Sequence, residues 1–163
     1  MNKIKCIGLL LLVMLIGFQS AQAQKKVSTT IAPTTRTEKD LLGEKQIPFD
    51  AYYGVQTARA LENFQVSGMK TNSYPDYVKA YAIVKLAAAR ANAEDGRLSK
   101  EKLVAIEKAC LAVMDGKYHD QFIVDLYQGG AGTSANMNSC EVIANIALEM
   151  SGHKKGEYQF IEP

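Results

Sequence analysis

YQGGAGTSANMNSCEV, residues 127–142, decides how the rest of the chain is read. Four small residues, Gly129, Gly130, Ala131 and Gly132, run into two hydroxyls, Thr133 and Ser134, and a helix-forming run follows. Glycine lets a ligand approach the main chain and permits unusual φ values. The first turn of the helix beyond has N–H groups without intrahelical partners and carries the positive end of the helix dipole. With Thr133 and Ser134 added, the pattern predicts an uncharged anion pocket suited to a carboxylate or a phosphate. Phosphate motifs fit poorly. No lysine follows Gly132, so this is not a P-loop, and the third glycine of a dinucleotide fingerprint is missing. A small carboxylate is the better match, set against the plain alternative that a Gly-Thr-Ser turn only caps its helix.

Outward from that stretch, the chain reads as mainly α with a small β-hairpin. DQFIVDLYQ alternates at Phe122, Val124 and Leu126, which predicts an extended segment leading into the glycines. The helix that follows runs from about 134 to 150 and stops at Ser151-Gly152. Upstream, Pro75 and Asp76 open a helix over 76–95, with Val78, Tyr81, Ala82, Leu86 and Ala89 at helical spacing. Ser99 caps a second helix, whose expected buried stripe is Leu103, Ile106, Cys110, Val113 and Met114. The short link between these two helices predicts an antiparallel pair. DLLGEKQIP suits a small hairpin, and DAYYGVQTARALENF brings aromatics around Gly54 before a short helix.

The 163 residues are enough for one domain behind an N-terminal leader. Lys3 and Lys5, the apolar run IGLLLLVMLIGF over 7–18, and Ala21-Gln22-Ala23 form the three parts of a secretory signal peptide. Cleavage after Ala23 is expected, with export to the periplasm. Residues 24–37, polar and threonine-rich, read as a disordered tether, and 38–163 as the folded domain. Removing 1–23 takes two lysines and no acids, so the mature net charge falls from +2 to about zero. A neutral chain without a basic block is a poor ligand for nucleic acid or an anionic membrane surface. Cys110 and Cys140 read as buried free thiols rather than a disulfide, because each lies in a predicted helix among apolar neighbours. No histidine stands at ligand spacing from a thiol or carboxylate, so no structural metal and no cofactor is expected.

DLLGEKQIPFDAYYGVQTARALENF, DQFIVDLYQGGAGTSANMNSCEVIANIALEM and GHKKGEYQF together resemble the N-terminal region of the aspartase/fumarase superfamily, over about 36–163. Ala131 leans to the aspartase branch, since class II fumarases usually carry serine in that place. Cys140 departs from the usual asparagine before Glu-Val. The resemblance implies the N-terminal domain of that fold, with the central helical bundle only begun, and a homotetramer whose sites draw on three subunits. The implied reaction is reversible elimination of ammonia from L-aspartate to give fumarate; the rivals are a class II fumarate hydratase fragment and a non-catalytic carboxylate-binding module. By the same resemblance the turn Gly132-Thr133-Ser134 binds substrate, with Thr133 donating to it, Ser134 assisting and Asn136 a lesser candidate, and Arg59 is linked to substrate binding or else is a surface or intersubunit salt-bridge residue. The serine base is implied to lie on a Gly-Ser-Ser loop downstream of Pro163, with its histidine and lysine partners. No catalytic residue is therefore expected within these 163 residues, and the segment alone is expected to be inactive.

Overall fold

The computed structural model describes residues 34–163; the leader and most of the expected tether lie outside them. Strand β1 (Thr35–Asp40) pairs antiparallel with β2 (Gly43–Pro48), in a register running from Thr35 opposite Pro48 to Asp40 opposite Gly43. Burial alternates along both strands, as a hairpin with one face on a core requires. Glu38 and Ile47 are buried at its centre. In the turn, Asp40 Oδ1 accepts the Leu42 N–H at 2.9 Å, and Gly43 takes φ +113°, a conformation that favours glycine. The hairpin corrects the tether boundary, because Thr35 to Thr37 belong to β1. These β-branched residues also pair across the ladder: Thr35 Oγ1 donates to Gln46 Oε1 at 3.0 Å, and Gln46 Nε2 to Thr37 Oγ1 at 2.8 Å.

Four α-helices follow among the described residues: α1 (Val55–Asn63), α2 (Pro75–Glu94), α3 (Lys100–Met114) and α4 (Thr133–Met150). Helices α2 and α3 pack on each other and both pack on α4. The link between α2 and α3 is closed by the N–H groups of Arg97 and Leu98 on the Asn92 carbonyl. Ser99 caps α3, its Oγ accepting from the Lys102 N–H at 3.3 Å. Val78, Ala82, Leu86 and Ala89 are buried as the spacing predicts, while Tyr81 is half-buried. The stripe expected on α3 is rotated. Its buried members are Ala105, Ala109, Cys110, Ala112 and Val113, and Leu103, Ile106 and Met114 are only half-buried. Alanines bring two helix backbones close together, and the larger side chains are turned to the flanks of that contact.

The segment after the 3₁₀ turn His119–Gln121 is extended, with Phe122 and Val124 buried. It runs antiparallel to 69–72: Thr71 N donates to Val124 O at 3.0 Å, Asn72 N to Phe122 O at 2.9 Å, and Leu126 N to Met69 O at 2.7 Å. Asp120 and Gln121 belong to the 3₁₀ turn instead of the extended run.

Helix α4 is the centre. From Asn138 to Leu148 every residue is buried except Cys140. Its Glu141, 1% exposed, spans the N-terminus of α1. The carboxylate accepts from the N–H groups of Gly54 at 2.9 Å, Gln56 at 2.7 Å and Thr57 at 3.0 Å. Helix termini leave such donors without partners, and a carboxylate from another helix satisfies them here. Burial pushes the Glu141 carboxyl above its ordinary range, against the lowering pull of those donors. Glu38 accepts from the Val55 N–H at 3.0 Å and from the Tyr158 hydroxyl at 3.1 Å. A Cβ on Gly54 would sit 2.5 Å from both Glu38 Oε2 and the Tyr158 hydroxyl, so glycine is required at that position. Asn145, fully buried, fastens the segment beyond α4: it accepts the Gly156 N–H at 2.7 Å and donates to the Tyr158 hydroxyl at 3.0 Å.

Candidate functional site

The glycine-rich turn is built from Asp125 onward. Asp125, 6% exposed, accepts the N–H groups of Val66 (3.1 Å), Ser67 (2.8 Å) and Gly68 (3.0 Å), the Ser67 hydroxyl (2.7 Å) and the Tyr127 N–H (2.8 Å). Burial alone would raise its pKa; the Ser67 hydroxyl and the backbone donors outweigh that and hold the carboxyl well below the usual range. Gln128 then grips both ends of the turn. Its Nε2 donates to the Asp125 carbonyl at 2.8 Å, and its Oε1 accepts the Ala135 N–H at 2.7 Å. A side chain upstream of the turn thus caps the first turn of α4. Between these anchors Gly130 (φ +73°), Ala131 (φ +53°) and Gly132 (φ +86°) are all left-handed, which turns the main chain sharply into the helix. At Gly129 an added Cβ would meet the Phe64 ring at 3.2 Å.

The predicted residues Gly132, Thr133, Ser134 and Asn136 come together at the start of α4. Among the described residues, the amides of Ala131, Gly132 and Ser134 donate to no protein group. Thr133 does not stand free: its hydroxyl donates to the Gly130 carbonyl, and its N–H reaches the same oxygen at 3.2 Å. A ligand that takes the Thr133 hydroxyl must displace this bond. Gly129 to Ala131 and Thr133 are exposed, so the corner is open to one side. Arg59 does not join it. Its guanidinium forks onto Asp40, Nε to Oδ2 at 2.9 Å and Nη2 to Oδ1 at 2.8 Å, and Nη2 also donates to the Gly43 carbonyl at 3.0 Å. The Arg59 fork holds the Asp40 carboxyl below its ordinary value. In this chain Arg59 ties α1 to the hairpin turn.

The corner also holds a charge that the sequence reading left out. Lys85, half-buried on α2, donates Nζ to Asn136 Oδ1 at 2.5 Å. The pocket expected to be uncharged thus has an ammonium beside it. The signal was a lysine inside the alanine-rich KLAAARANA, four residues after Tyr81. Asp125 and Gln128 carried no sequence signal, since their partners belong to the folded turn. Cys110 is buried and Cys140 half-buried, and both are free thiols. No group of three or more His, Cys, Asp and Glu side chains is gathered as a metal site among the described residues.

A family profile described as lyase matches residues 43–162, and the chain belongs to that family. Among its similar relatives, aspartate ammonia-lyase of Pseudomonas aeruginosa is 55% identical over 130 residues, covering 80% of this chain and 27% of the relative. Aspartate ammonia-lyase of Escherichia coli K12 is 54% identical over 129 residues, covering 78% and 27%. In structure the chain is similar to fumarate lyase:delta crystallin from Brucella melitensis, with a TM-score of 0.78 and 53% identity over 79% of this chain and 29% of that one. It is also similar to class II fumarase from Schistosoma mansoni, with a TM-score of 0.70 and 37% identity over 76% and 26%. The chain spans less than a third of the length of these relatives.

Proposed function

We propose that the chain is the N-terminal, substrate-carboxylate-binding part of an aspartate ammonia-lyase. The observation that carries this reading is the corner at the start of α4, where the open amides of Ala131, Gly132 and Ser134 lie beside the hydroxyl-bearing residues Thr133 and Ser134. The similarity to aspartate ammonia-lyases over four fifths of the chain supports it. In the proposed reaction a base takes a proton from C3 of L-aspartate. Negative charge spreads onto the adjoining carboxylate, the C2–N bond breaks with its electron pair leaving on ammonia, and fumarate remains. Donors placed around that carboxylate stabilise it most when its charge is greatest, which lowers the barrier instead of merely tightening binding. Thr133 donates its hydroxyl, Ser134 its amide and hydroxyl, Gly132 its amide, and Asn136 its side-chain N–H. Arg59 acts indirectly, by fixing α1 against the hairpin.

The open side of the corner supports a site completed by other parts of the complete protein, in a homotetramer. The leader pattern of residues 1–23 supports export, and N-terminal sequencing of protein from a periplasmic fraction should begin at Gln24. The function is tested by assaying the complete protein for ammonia release from L-aspartate. Thr133→Val should lower kcat/KM by about 10²–10³-fold, the loss typical of one donor to a developing oxyanion, while unfolding shifts by only about 1 kcal/mol for the bond to Gly130. Unchanged kinetics in that variant would remove the corner from the mechanism. Hydration of fumarate without ammonia release would assign the chain to the fumarases instead, and binding of a dicarboxylate without turnover would assign it to a non-catalytic module.

A further inference from the structure

We propose that Lys85 is a positioning residue, locking the side-chain amide of Asn136 so that its NH₂ is turned away from Lys85 and available to the substrate carboxylate. The proposal rests on the reading of the α4 corner as a carboxylate site. An ammonium has three donors and no acceptor, so the Asn136 atom 2.5 Å from Lys85 Nζ is the carbonyl oxygen. The amide cannot flip without setting donor against donor. Asn136 Nδ2 therefore points away from Lys85, where the protein group near it is the Met137 sulfur at 3.9 Å, a weak acceptor. A half-buried amide with one donor on a weak sulfur acceptor and the other unspent is left at the mouth of α4.

The surroundings place those donors on the right side of the helix. Thr133, Asn136, Met137 and Cys140 recur at spacings of three, one and three, so they share one face of α4. Each is half-buried or exposed, although the helix beyond Met137 is otherwise buried through Leu148. One turn earlier on α2, Tyr81 packs against the cluster of Ala60, Val124 and Ala135, which pins α2 to the first turn of α4. The next turn of α2 then delivers Lys85 to Asn136. The asparagine's own main chain is held as well, its N–H on the Gly132 carbonyl at 3.0 Å and its carbonyl under the Ser139 hydroxyl at 2.7 Å. The freedom left at Asn136 is in its side chain, and the bond from Lys85 to Oδ1 restrains it.

The test is a double-mutant cycle in the complete protein, read as KM for L-aspartate, kcat, and the dissociation constant of succinate, a dicarboxylate that cannot lose ammonia. Lys85→Met should weaken succinate about tenfold, the worth of one misdirected hydrogen bond to a charged group, and should lower kcat/KM by at least that factor, because the same donor serves the transition state. Lys85→Arg, which restores a cationic donor, should recover most of the affinity. In an Asn136→Ala background, Lys85→Met should change succinate binding by less than about twofold, because its route of action is gone. An undiminished effect in that background would mean that Lys85 acts directly on the ligand, and no effect of Lys85→Met in the parent would mean that it does not act; either overturns the proposal. Should Lys85→Met fail to assemble, Lys85→Gln enters the same cycle. Thr133→Val, measured alongside, separates the two levels. If it lowers kcat/KM and Lys85→Met does not, the positioning role alone falls; if neither lowers kcat/KM, the carboxylate site falls with it.

Discussion

Replacing Glu141 by glutamine should loosen the start of α1 without emptying any space. The side chains are nearly isosteric, so the effect is confined to hydrogen bonding and charge. Glu141 Oε2 accepts two amides, from Gly54 and Thr57, and Oε1 accepts one, from Gln56. Glutamine keeps its oxygen on the two-amide side and turns its NH₂ toward the Gln56 N–H. That donor loses its partner in a buried place, a cost of about 1–3 kcal/mol. Loss of the negative charge at the helix N-terminus adds up to about 2 kcal/mol. A neutral amide is easier to bury than a carboxylate whose pKa burial already raises, which returns about 1–2 kcal/mol. Taken at the middle of these ranges the net is about 1.5 kcal/mol against the folded start of α1, or roughly tenfold in the local opening equilibrium. Native-state hydrogen exchange on the complete protein reads this directly, as acceleration of the amides of Gly54, Gln56 and Thr57 by that factor. Acceleration of less than about threefold would show that Glu141 does not hold α1, and the carboxylate cap would have to be abandoned.

Gly54→Ala should be more severe, because its Cβ overlaps Glu38, Tyr158 and Glu141 oxygens, at 2.5, 2.5 and 2.8 Å; a thermal midpoint lowered by less than about 5 °C would contradict that crowding. Asp125 has a folded-state pKa below its ordinary 3.8, so its contribution to stability is present above that value and lost as pH falls through the lower folded value. Exchange at Ser67 and Gly68 should therefore quicken below about pH 4, beyond the ordinary pH effect on exchange chemistry. Asp125→Asn should abolish that extra step and be fast throughout. The two helix thiols should separate cleanly: Cys110, fully buried and with its pKa pushed up to about 11, should resist alkylation in the native protein, while half-buried Cys140 is labelled first. Equal labelling, read by peptide mass, would contradict the packing of α3 on α4.

Features with local causes were legible in the sequence. Pro75 and Asp76 open α2 and Ser99 caps α3 because these signals act within one turn of the backbone they affect. The glycines before Thr133 likewise announced the start of α4. The face of α3 was not legible, since periodicity favours large apolar residues and the contact is made by Ala105, Ala109 and Ala112. Glu141 looked like one acidic residue in an apolar helix; its three donors lie more than 80 positions upstream. Arg59 had two readings because Asp40, which settles its partner, was then only the edge of an uncertain hairpin. Thr35 to Thr37 read as tether because threonine is common in both states, and the cross-strand Gln46 that distinguishes them is a tertiary fact.

The proposed chemistry also explains why a substrate corner should keep some of its donors occupied. The Thr133 hydroxyl is bonded to the Gly130 carbonyl, so a resting carboxylate gains there only the difference between a charge-assisted bond and the neutral bond it displaces. Bonds to ionised acceptors are about twice as strong as neutral ones, and the charge on the reacting carboxylate rises as the C3 proton leaves. The exchange at Thr133 therefore becomes more favourable as the transition state is approached. Gln128 acts in the same direction. By taking the Ala135 N–H it withdraws one of the early amides of α4 from any ligand, which leaves the Ala131, Gly132 and Ser134 amides as the main-chain donors at the mouth of the helix. Narrowing the donor set to a few groups favours a concentrated charge over a dispersed one. On that ground the turn at 129–134 is better suited to a carboxylate in reaction than to one merely bound, and Thr133→Val should depress kcat more than it raises KM.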